Sequence, residues 1–539
     1  MKKAICQASI VLVLVLVTSF IMPLFVDRKT ELTREYQHET NKEADPSIGP
    51  TSVGEDGIID KSFKSHLPLV VIDFKGNEVP NIYTWNEDGT ARVYREGYDE
   101  NSDPYVNMHM EIIDNDNNVN SLNDKAAFIN DGKIKLRGMT SRGFLKRQYG
   151  IKLMKDGEEL EESILGLDAD EDYVLSNSIL DLSGIRNYLT MNIGGEIVEY
   201  TPDVRFCEVI FKDGDSYTYQ GLYLMMEKIK KGKGHIEMED YSEKDSKLNY
   251  AVCRDRYNYT TKTLSTYASD NKLCYGYFTM VYPKAKNISD KGIEAIENEL
   301  STIEKCIYSD DYDEFLQYSR YLDVDSFINY FIVNEFFMNY DAGNNSTYYY
   351  KNQNDRLAIG PLWDYDNAID NYSADVANPE YMVFVKQPWF EKLIRDPLFQ
   401  KKLIARYKEL RKTYLNTEFI ENFIDETYEY LGNASLRDSS RWMKVYNERH
   451  LLEVLENNEK ILVDRNRYSV SGEITKIKDI INIHGEYMDN NIQKDLENLK
   501  SEEIESARTK DRSWIVVAGI IAFFCMIVLV NRKIRGEYR

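Results

Sequence analysis

The sequence has few cysteines and few histidines, with six of each among 539 residues. The cysteines form no CxxC pair, and no histidine lies at metal-ligand spacing from a cysteine. This scarcity argues against structural zinc sites and against a dense disulfide framework. We therefore expect the internal cysteines to be buried free thiols.

Positive charge is also scarce, because 67 Lys and Arg stand against 90 Asp and Glu, for a formal net charge of −23. A nucleic-acid backbone must be neutralised by clustered cations, so the composition excludes a nucleic-acid partner. The hydrophobic content of 42%, with 40 Tyr and 21 Phe, is typical of a folded protein and not of an acidic disordered chain. The length predicts at least two folded units.

Two long charge-free runs lie near the ends of the chain, at residues 4–26 and 513–531. The first follows Lys2 and Lys3 and lacks an A-x-A cleavage site, which favours an uncleaved signal anchor over a removed signal peptide. The second is followed by a basic tail, which should stay in the cytoplasm. The sequence therefore predicts a two-pass cell-membrane protein whose main domain lies on the non-cytoplasmic face.

The first part of the body has strand patterns. Alternation in KIKLRGM (133–139) and YGIKLM (149–154) indicates a hairpin. A second hairpin is predicted for 208–214 and 219–227, with Gly214 in its turn. We thus expect a mostly β first part.

Helical patterns dominate the second part. One earlier helix is predicted near Ile185, Leu189 and Ile193, with Asp181 or Ser183 as its cap. The apolar segment VDSFINYFIVNEFFMNY is typical of a buried helix, and amphipathic helical patterns continue from beyond Trp389 to about Glu505.

Two acidic segments, MNYDAGNNSTYYY and GPLWDYDNAID, are the most informative for chemistry. Asp341 follows the apolar helix and precedes two amides, while Asp364 and Asp366 end a predicted strand. Phosphoryl transfer uses one Asp to accept a hydroxyl proton, and an Asn with a second Asp to hold the divalent metal. The order of Asp341, the amides and Asp364 along the chain matches this arrangement. Asp-rich loops also occur without catalysis, because their carboxylates cap helices or face water.

A basic turn lies upstream, in LRGMTSRGFLKRQYGIKLM. Its glycines allow close backbone approach to phosphates, and its arginines supply planar, multidentate donors. Lys152 on the next predicted strand would reach phosphate oxygens as a point charge. The turn is therefore either an anion cradle or an exposed basic hairpin tip.

Five segments together resemble the spore-coat-protein-H (CotH) kinase family, over about residues 67–415. They are RGMTSRGFLKRQYGIKLM, DLSGIRNYLTMNIG, YQGLYLMMEKI, NEFFMNYDAGNNSTYYYKN and GPLWDYDNAI. The resemblance implies an α+β, atypical protein-kinase-like two-lobe fold, with a β-rich N-lobe and a helical C-lobe. It also implies a kinase that uses ATP and Mg²⁺ to phosphorylate Ser or Thr of protein substrates, such as envelope or spore-coat proteins.

The resemblance implies that Asp341 is the catalytic Asp and that Asp364 is the metal-binding Asp. Asp366 is a second metal-binding or a structural candidate, and Asn345 is a further candidate metal ligand. An ordinary kinase loop places Asn five residues after the catalytic Asp, but Ser346 occupies that position here. Asn344, Asn345 or Ser346 would then complete the metal shell.

The resemblance also implies the nucleotide contacts. Lys152 would contact the phosphates, Arg142 and Arg137 would lie over the triphosphate, and Glu227 would lie near the adenine. Glu196 is the positional candidate for the partner of Lys152. The basic turn has two glycines instead of three, so its arginines would carry more of the phosphate binding.

The predicted organisation has six parts. They are an N-terminal membrane anchor (1–26), a flexible stalk (27–62), the kinase-like domain (63–415), a helical extension (416–511), a second membrane helix (512–531) and a basic cytoplasmic tail (532–539).

Two other functions are compatible with the sequence. The first is a catalytically inactive scaffold of the same fold for envelope or spore-coat assembly. The second takes Asp364-Tyr365-Asp366 as the DxD motif of a nucleotide-sugar transferase, which would require a preceding βαβ series. A kinase domain outside the cytoplasm would also require a reversed topology, a special compartment such as that around a developing spore, or a donor other than ATP.

Overall fold

The computed structural model describes residues 32–87, 91–138, 141–177, 179–244, 248–371, 378–447 and 469–500. The strands are β1 (Ile58–Ile59), β2 (Lys64–Ser65), β3 (Leu69–Asp73), β4 (Tyr83–Trp85), β5 (Arg92–Tyr94), β6 (Val106–Ile113), β7 (Asn120–Ser121), β8 (Phe128–Leu136), β9 (Tyr149–Lys152), β10 (Met154–Lys155), β11 (Glu158–Glu159), β12 (Asp172–Ser176), β13 (Val204–Asp213), β14 (Ser216–Glu227), β15 (Tyr250–Asp255), β16 (Tyr277–Tyr282), β17 (Thr347–Lys351) and β18 (Ala358–Ile359). The helices are α1 (Gln37–Thr40), α2 (Arg186–Gly195), α3 (Tyr267–Asp270), α4 (Asp290–Ile307), α5 (Tyr312–Phe315), α6 (Tyr318–Tyr321), α7 (Val324–Phe336), α8 (Phe390–Leu393), α9 (Pro397–Leu410), α10 (Thr417–Asn447) and α11 (Val470–Leu499).

Seven strands form a closed sheet in the order β14, β12, β9, β8, β6, β3 and β13, with β13 pairing back onto β14. The β13–β14 hairpin turns at Gly214, whose φ of 57° suits glycine. Strand β13 also pairs in parallel with β3, which places Glu208 opposite Leu69. A bulge between Val209 and Ile210 adds the local bend that closure requires.

Apolar side chains fill the inside of this closed sheet. Alternate residues of β6, among them Met108, Met110 and Ile112, are buried, and Ile134 of β8 and Ile151 of β9 join them in one cluster. This alternation is the two-residue period of a strand with one face in the core. The closed sheet is therefore a packed core and not a channel.

A second, antiparallel sheet has the order β16, β15, β17 and β18. Its buried Tyr349 belongs to the same apolar cluster as Phe327 and Phe331 of α7. That cluster also includes Leu189 of α2 and Phe206 of β13, which belongs to the closed sheet. The two sheets and the helices thus share one continuous core.

The predicted kinase-like two-lobe fold flanked by transmembrane helices is wrong. Because β13 returns to pair in parallel with β3, the first sheet closes on itself instead of forming an open N-lobe sheet. The later helices do not form a separate lobe within the described ranges, because they share their core with both sheets.

The predicted two-pass membrane location is also corrected. Across the described ranges, no helix has the length and apolarity needed to cross a bilayer. Even α11, with 30 residues, buries only one face through residues such as Ile474 and Ile481, and it carries charges along its length. The predicted spans at 4–26 and 513–531 lie outside the described residues.

Part of the segment predicted as a flexible stalk packs against the body. Tyr36, Gln37 and His38 are buried. The Gln37 side chain accepts a hydrogen bond from the Phe206 N–H (2.6 Å) and donates one to the Phe206 carbonyl (3.1 Å), as a neighbouring strand would.

One buried ion pair joins the closed sheet to helix α10. The side chains of Arg437 and Glu208 are both 0% exposed, and Arg437 Nε lies 2.6 Å from Glu208 Oε1. Tyr219 Oη and Ser65 Oγ supply further hydrogen bonds, at 2.6 and 2.7 Å. Removing one partner would leave the other charge buried without compensation.

We predict that Arg437→Ala lowers the free energy of unfolding by about 3–5 kcal/mol, because Glu208 is left uncompensated. The control is Lys444→Ala on the same helix, whose pair with Glu55 is 51% and 62% exposed. Such an exposed pair contributes less than about 1 kcal/mol. Urea unfolding of both variants measures the difference, and equal midpoints would contradict the assigned role of Arg437.

Candidate functional site

A cavity of about 380 Å³ lies where the basic turn of the closed sheet approaches the second sheet. It brings together three kinds of side chain, namely acids, arginines and amides. Among the lining residues are Arg92, Arg137, Arg142, Asp255, Arg256, Asp341, Asn345, Ser346, Trp363, Asp364, Asp366 and Asn367.

The acidic wall is formed where three chain segments end near each other. Asp255 ends β15, Asp341 begins the turn between α7 and β17, and Asp364 follows β18. Strand β15 pairs with β17, and β17 pairs with β18, so neighbouring strands deliver these acids to the cavity. The pairing of distant strands, and not sequence proximity, creates this wall.

Hydrogen bonds orient the acids. Asn345 Nδ2 donates to Asp341 Oδ1 at 2.6 Å, and Ser346 Oγ donates to Asp364 Oδ2 at 3.2 Å. Arg256 Nη2 lies 3.8 Å from Asp341 Oδ1. Ser346 and Asp364 have positive φ values of 48° and 67°, a strained backbone that is often found at functional sites.

The pKa values of Asp341 and Asp255 are raised, first by burial and then by neighbouring acids. Burial raises the pKa of Asp341, and the charge of Asp364 raises it further, while Arg256 and Asn345 act in the opposite direction. Burial is also the main cause that raises the pKa of Asp255 to about 6, with smaller contributions from Asp341 and Asp364. A cation bound among these carboxylates would relieve this repulsion.

Three arginines of the same lining, Arg92, Arg137 and Arg142, form what we call the basic wall. Arg142 Nε and Arg92 Nη1 both donate to the carbonyl of Gly138, at 2.6 and 3.1 Å. Both guanidinium groups stack on Tyr83, at 4.3 Å for Arg92 and 4.8 Å for Arg142, while Arg137 stacks on Trp363 at 4.9 Å.

Two guanidinium N–H donors of the basic wall make no hydrogen bond within the described part of the chain. Arg142 Nη1 and Arg92 Nε are buried and have no hydrogen-bond partner among the described residues. Burial, followed by the charge of Arg92, lowers the pKa of Arg142 to about 10. Crowded, buried guanidinium groups with unused donors fit an anion such as a phosphate.

Gly138 is required in this turn. Its φ is 81°, and a Cβ at this position would clash with Ser141 Oγ. The glycine thus lets its carbonyl face two arginines, which fixes their guanidinium groups at the cavity.

Helix α2 holds the loop that carries Asp364 and Asp366. The Tyr365 N–H donates to Asn187 Oδ1 at 2.8 Å. Arg186 Nε donates to the Ala368 carbonyl at 3.1 Å, and Arg186 also pairs with Glu473 at 3.1 Å. Residues 181–187 therefore fix the position of the loop that carries the metal-binding candidates Asp364 and Asp366.

Six of the predicted site residues line this one cavity. They are Arg137, Arg142, Asp341, Asn345, Asp364 and Asp366. The motifs that the sequence places far apart are therefore brought together as one candidate site.

Lys152 and Glu227 lie outside the lining that the described residues form. Lys152 Nζ lies 2.6 Å from Glu159 Oε1 and 3.5 Å from Asp172 Oδ1. The Glu227 carboxylate accepts backbone N–H groups of Asp168 and Asp203, both at 2.9 Å.

Glu196, the candidate partner of Lys152, binds the N-terminal segment instead. Its carboxylate accepts hydrogen bonds from the backbone N–H groups of Thr33 and Arg34, each at 3.1 Å, and from Tyr36 Oη at 3.1 Å. These contacts give Glu196 a role in packing the segment that includes α1.

Sequence reasoning missed Asp255, Arg256, Arg92 and Asn187. A signal existed for the first two, because three charged residues, Arg254, Asp255 and Arg256, follow directly after the apolar run YAVC. Arg92 and Asn187 carry no comparable local signal, since only the tertiary fold brings them to the cavity and to the loop behind it.

The cavity thus brings arginines with unused hydrogen-bond donors into one lining with buried carboxylates. The sequence model of the CotH kinase protein family matches residues 134–488, and the chain belongs to this family. The matched residues include every predicted site residue. No curated protein matches the chain.

We predict that Asp255 makes stability fall as the pH rises from about 4 to about 6. The folded pKa of about 6 lies above the unfolded value of about 3.9, so ionisation costs the folded state on the order of 3 kcal/mol above this window. Asp255→Asn keeps an acceptor oxygen for the Arg256 N–H and removes this cost.

Melting curves at pH 4 and pH 7.5 test this assignment. The gain of Asp255→Asn over the wild type should be larger at pH 7.5, and the exposed control Asp310→Asn should show no such change. An equal gain at both pH values would show that Asp255 does not titrate in this window.

Proposed function

We propose that the protein is a kinase that transfers the γ-phosphoryl group of ATP, with Mg²⁺, to Ser or Thr hydroxyls of protein substrates. Membership in the CotH kinase family supports the reaction class. The observation that carries the proposal is that Asp341 and Asp364 line the same cavity as Arg137 and Arg142.

The residues present fit Mg²⁺. This ion prefers oxygen ligands and is usually held by one or two carboxylates, with water and substrate phosphates completing its octahedral shell. Asp364, Asp366 and the Asn345 amide are the side chains that would hold it. When bound, Mg²⁺ would supply positive charge that neutralises the negative charge of the phosphates during transfer.

The triphosphate would lie against the basic wall. Arg92, Arg137 and Arg142 present guanidinium donors at the cavity, and two buried nitrogen atoms of Arg92 and Arg142 have no hydrogen-bond partner in the described part of the chain. We therefore assign phosphate binding to these arginines, while Lys152 and Glu227 are engaged elsewhere.

Asp341 would act as the general base. The substrate hydroxyl gives its proton to Asp341, its oxygen bonds to the γ-phosphorus, and the bond from that phosphorus to the oxygen of ADP breaks. A raised pKa makes Asp341 a better proton acceptor, and the hydrogen bond from Asn345 fixes the direction of its carboxylate.

We predict that Asp341→Asn lowers phosphate incorporation by roughly 100-fold or more, because the base is lost, while nucleotide binding stays within about threefold. Asp364→Asn should instead weaken Mg²⁺-dependent nucleotide binding. Radiolabel transfer from ATP to a Ser/Thr peptide pool measures the first change, and nucleotide titration measures the second.

The matched control is Asp479→Asn, an exposed carboxylate on α11. If the wild type binds no nucleotide in the presence of Mg²⁺, the kinase proposal is lost. If it binds nucleotide but Asp341→Asn behaves as the wild type does in transfer and in the cell, an inactive scaffold of the same fold is favoured.

Asn187 gives a prediction for a positioning residue. Asn187→Ala leaves the Tyr365 N–H without its acceptor, so Mg²⁺-dependent nucleotide affinity should fall about tenfold, or about 1.4 kcal/mol. Asn187→Asp keeps an acceptor oxygen and should restore most of the affinity. Equal affinities for Asn187→Ala and the wild type would remove this role.

A further inference from the structure

His38 is a buried histidine far along the chain from the cavity residues. It belongs to helix α1, its side chain is 1% exposed, and its ring packs against Tyr36, Tyr188 and Phe423 at centroid distances of 5.9, 5.7 and 4.6 Å. Its Nδ1 lies 2.9 Å from Tyr188 Oη. Its Nε2, although buried, has no hydrogen-bond partner among the described residues.

Two glutamates lie in front of this nitrogen. Glu426 Oε2, on α10, is 3.9 Å from His38 Nε2, and Glu39 follows His38 in α1. One ligand atom from each of the three residues lies within 4.8 Å of the other two, and both glutamates are exposed. Glu39 and Glu426 repel each other, since the pKa of Glu39 is raised by burial and then by the charge of Glu426.

The protonation state of His38 suits a metal ligand. Burial lowers the pKa of His38 to about 4, so the ring is neutral at pH 7. In the tautomer with the proton on Nδ1, that N–H donates to the Tyr188 hydroxyl 2.9 Å away, and Nε2 keeps its lone pair for a metal. Metal-bound histidines commonly use their second nitrogen in this way.

We propose that His38, Glu39 and Glu426 form a binding site for a divalent transition metal of the zinc class. Each residue supplies one ligand atom, and water completes the shell.

The geometry requires only small movements. Zinc bonds of about 2.0–2.2 Å to nitrogen and oxygen put neighbouring tetrahedral ligands roughly 3.4 Å apart. The three ligand atoms here are at most 4.8 Å apart. A change of rotamer in the two exposed glutamate side chains would shorten these distances to that value. The packed His38 ring stays in place.

The site would fasten the N-terminal segment to the body. Glu39 and His38 come from α1, and Glu426 comes from the part of α10 that precedes its kink at Gly432. A ligand that binds only the folded state stabilises it, so the metal would raise the melting temperature. This role is separate from the proposed kinase reaction.

The test uses the untagged full chain and Zn²⁺ alone as the probe, in competition with a chromophoric chelator. The wild type should bind one Zn²⁺ per chain. Glu426→Gln and Glu39→Gln should each weaken binding by more than about tenfold, while Glu429→Gln, an exposed position one turn along α10, should leave the affinity unchanged. The glutamate variants are on the surface, so they remain informative even where a His38 variant fails to fold.

Two further measurements separate this site from the cavity. Excess Mg²⁺ and the Asp364→Asn substitution should leave Zn²⁺ affinity unchanged, and Co²⁺ should give visible absorption bands in the wild type that Glu426→Gln lacks. Binding that survives both glutamate substitutions, or an absence of binding to the wild type, overturns the proposal. Loss of binding in Asp364→Asn would place the ion in the cavity and overturn it equally.

Discussion

The presence of buried acids and buried arginines in the lining of one cavity is the interaction on which the site depends. Like charges repel each other within each wall. A bound ligand of the opposite charge reduces this repulsion. The carboxylates favour the binding of a cation, and the guanidinium groups favour the binding of an anion. A phosphate chain that carries a divalent metal satisfies both walls at once, which is why we favour phosphoryl transfer over binding alone. The two walls comprise Asp255, Asp341, Asp364, Arg92, Arg137 and Arg142.

The rest of the fold holds the residues of both walls in place. The closed sheet holds the basic turn after β8, while the second sheet and α7 present the acids. Helix α2 connects the two, since Asn187 and Arg186 bind the loop after β18 and Arg186 also pairs with Glu473 of α11. The shared core of sheets and helices therefore supports the cavity from several directions, so its geometry does not depend on one flexible loop.

Local structure could be predicted from the sequence because its signals lie in neighbouring residues. The two predicted hairpins are found in β8–β9 and β13–β14. The N-cap of α2 is Ile185 instead of Asp181 or Ser183, although the Asp181 carboxylate accepts the Arg186 N–H at 3.0 Å. Six site residues also meet as their motifs suggest. The parallel pairing of β13 with β3 leaves no local signal, so the closure of the sheet was missed. Lys152 was carried over from the family motif and Glu227 from the strand order of kinases, and both lie outside the cavity lining that the described residues form.

The most direct test of the central claim is a structure of the protein with Mn²⁺ in place of Mg²⁺ and a nonhydrolysable ATP analogue. The account predicts anomalous density for Mn²⁺ beside the carboxylates of Asp364 and Asp366, with the phosphates between that ion and the guanidinium groups of Arg137 and Arg142. A nucleotide bound instead beside Lys152 and Glu227, with no ion at the acidic wall, would contradict it.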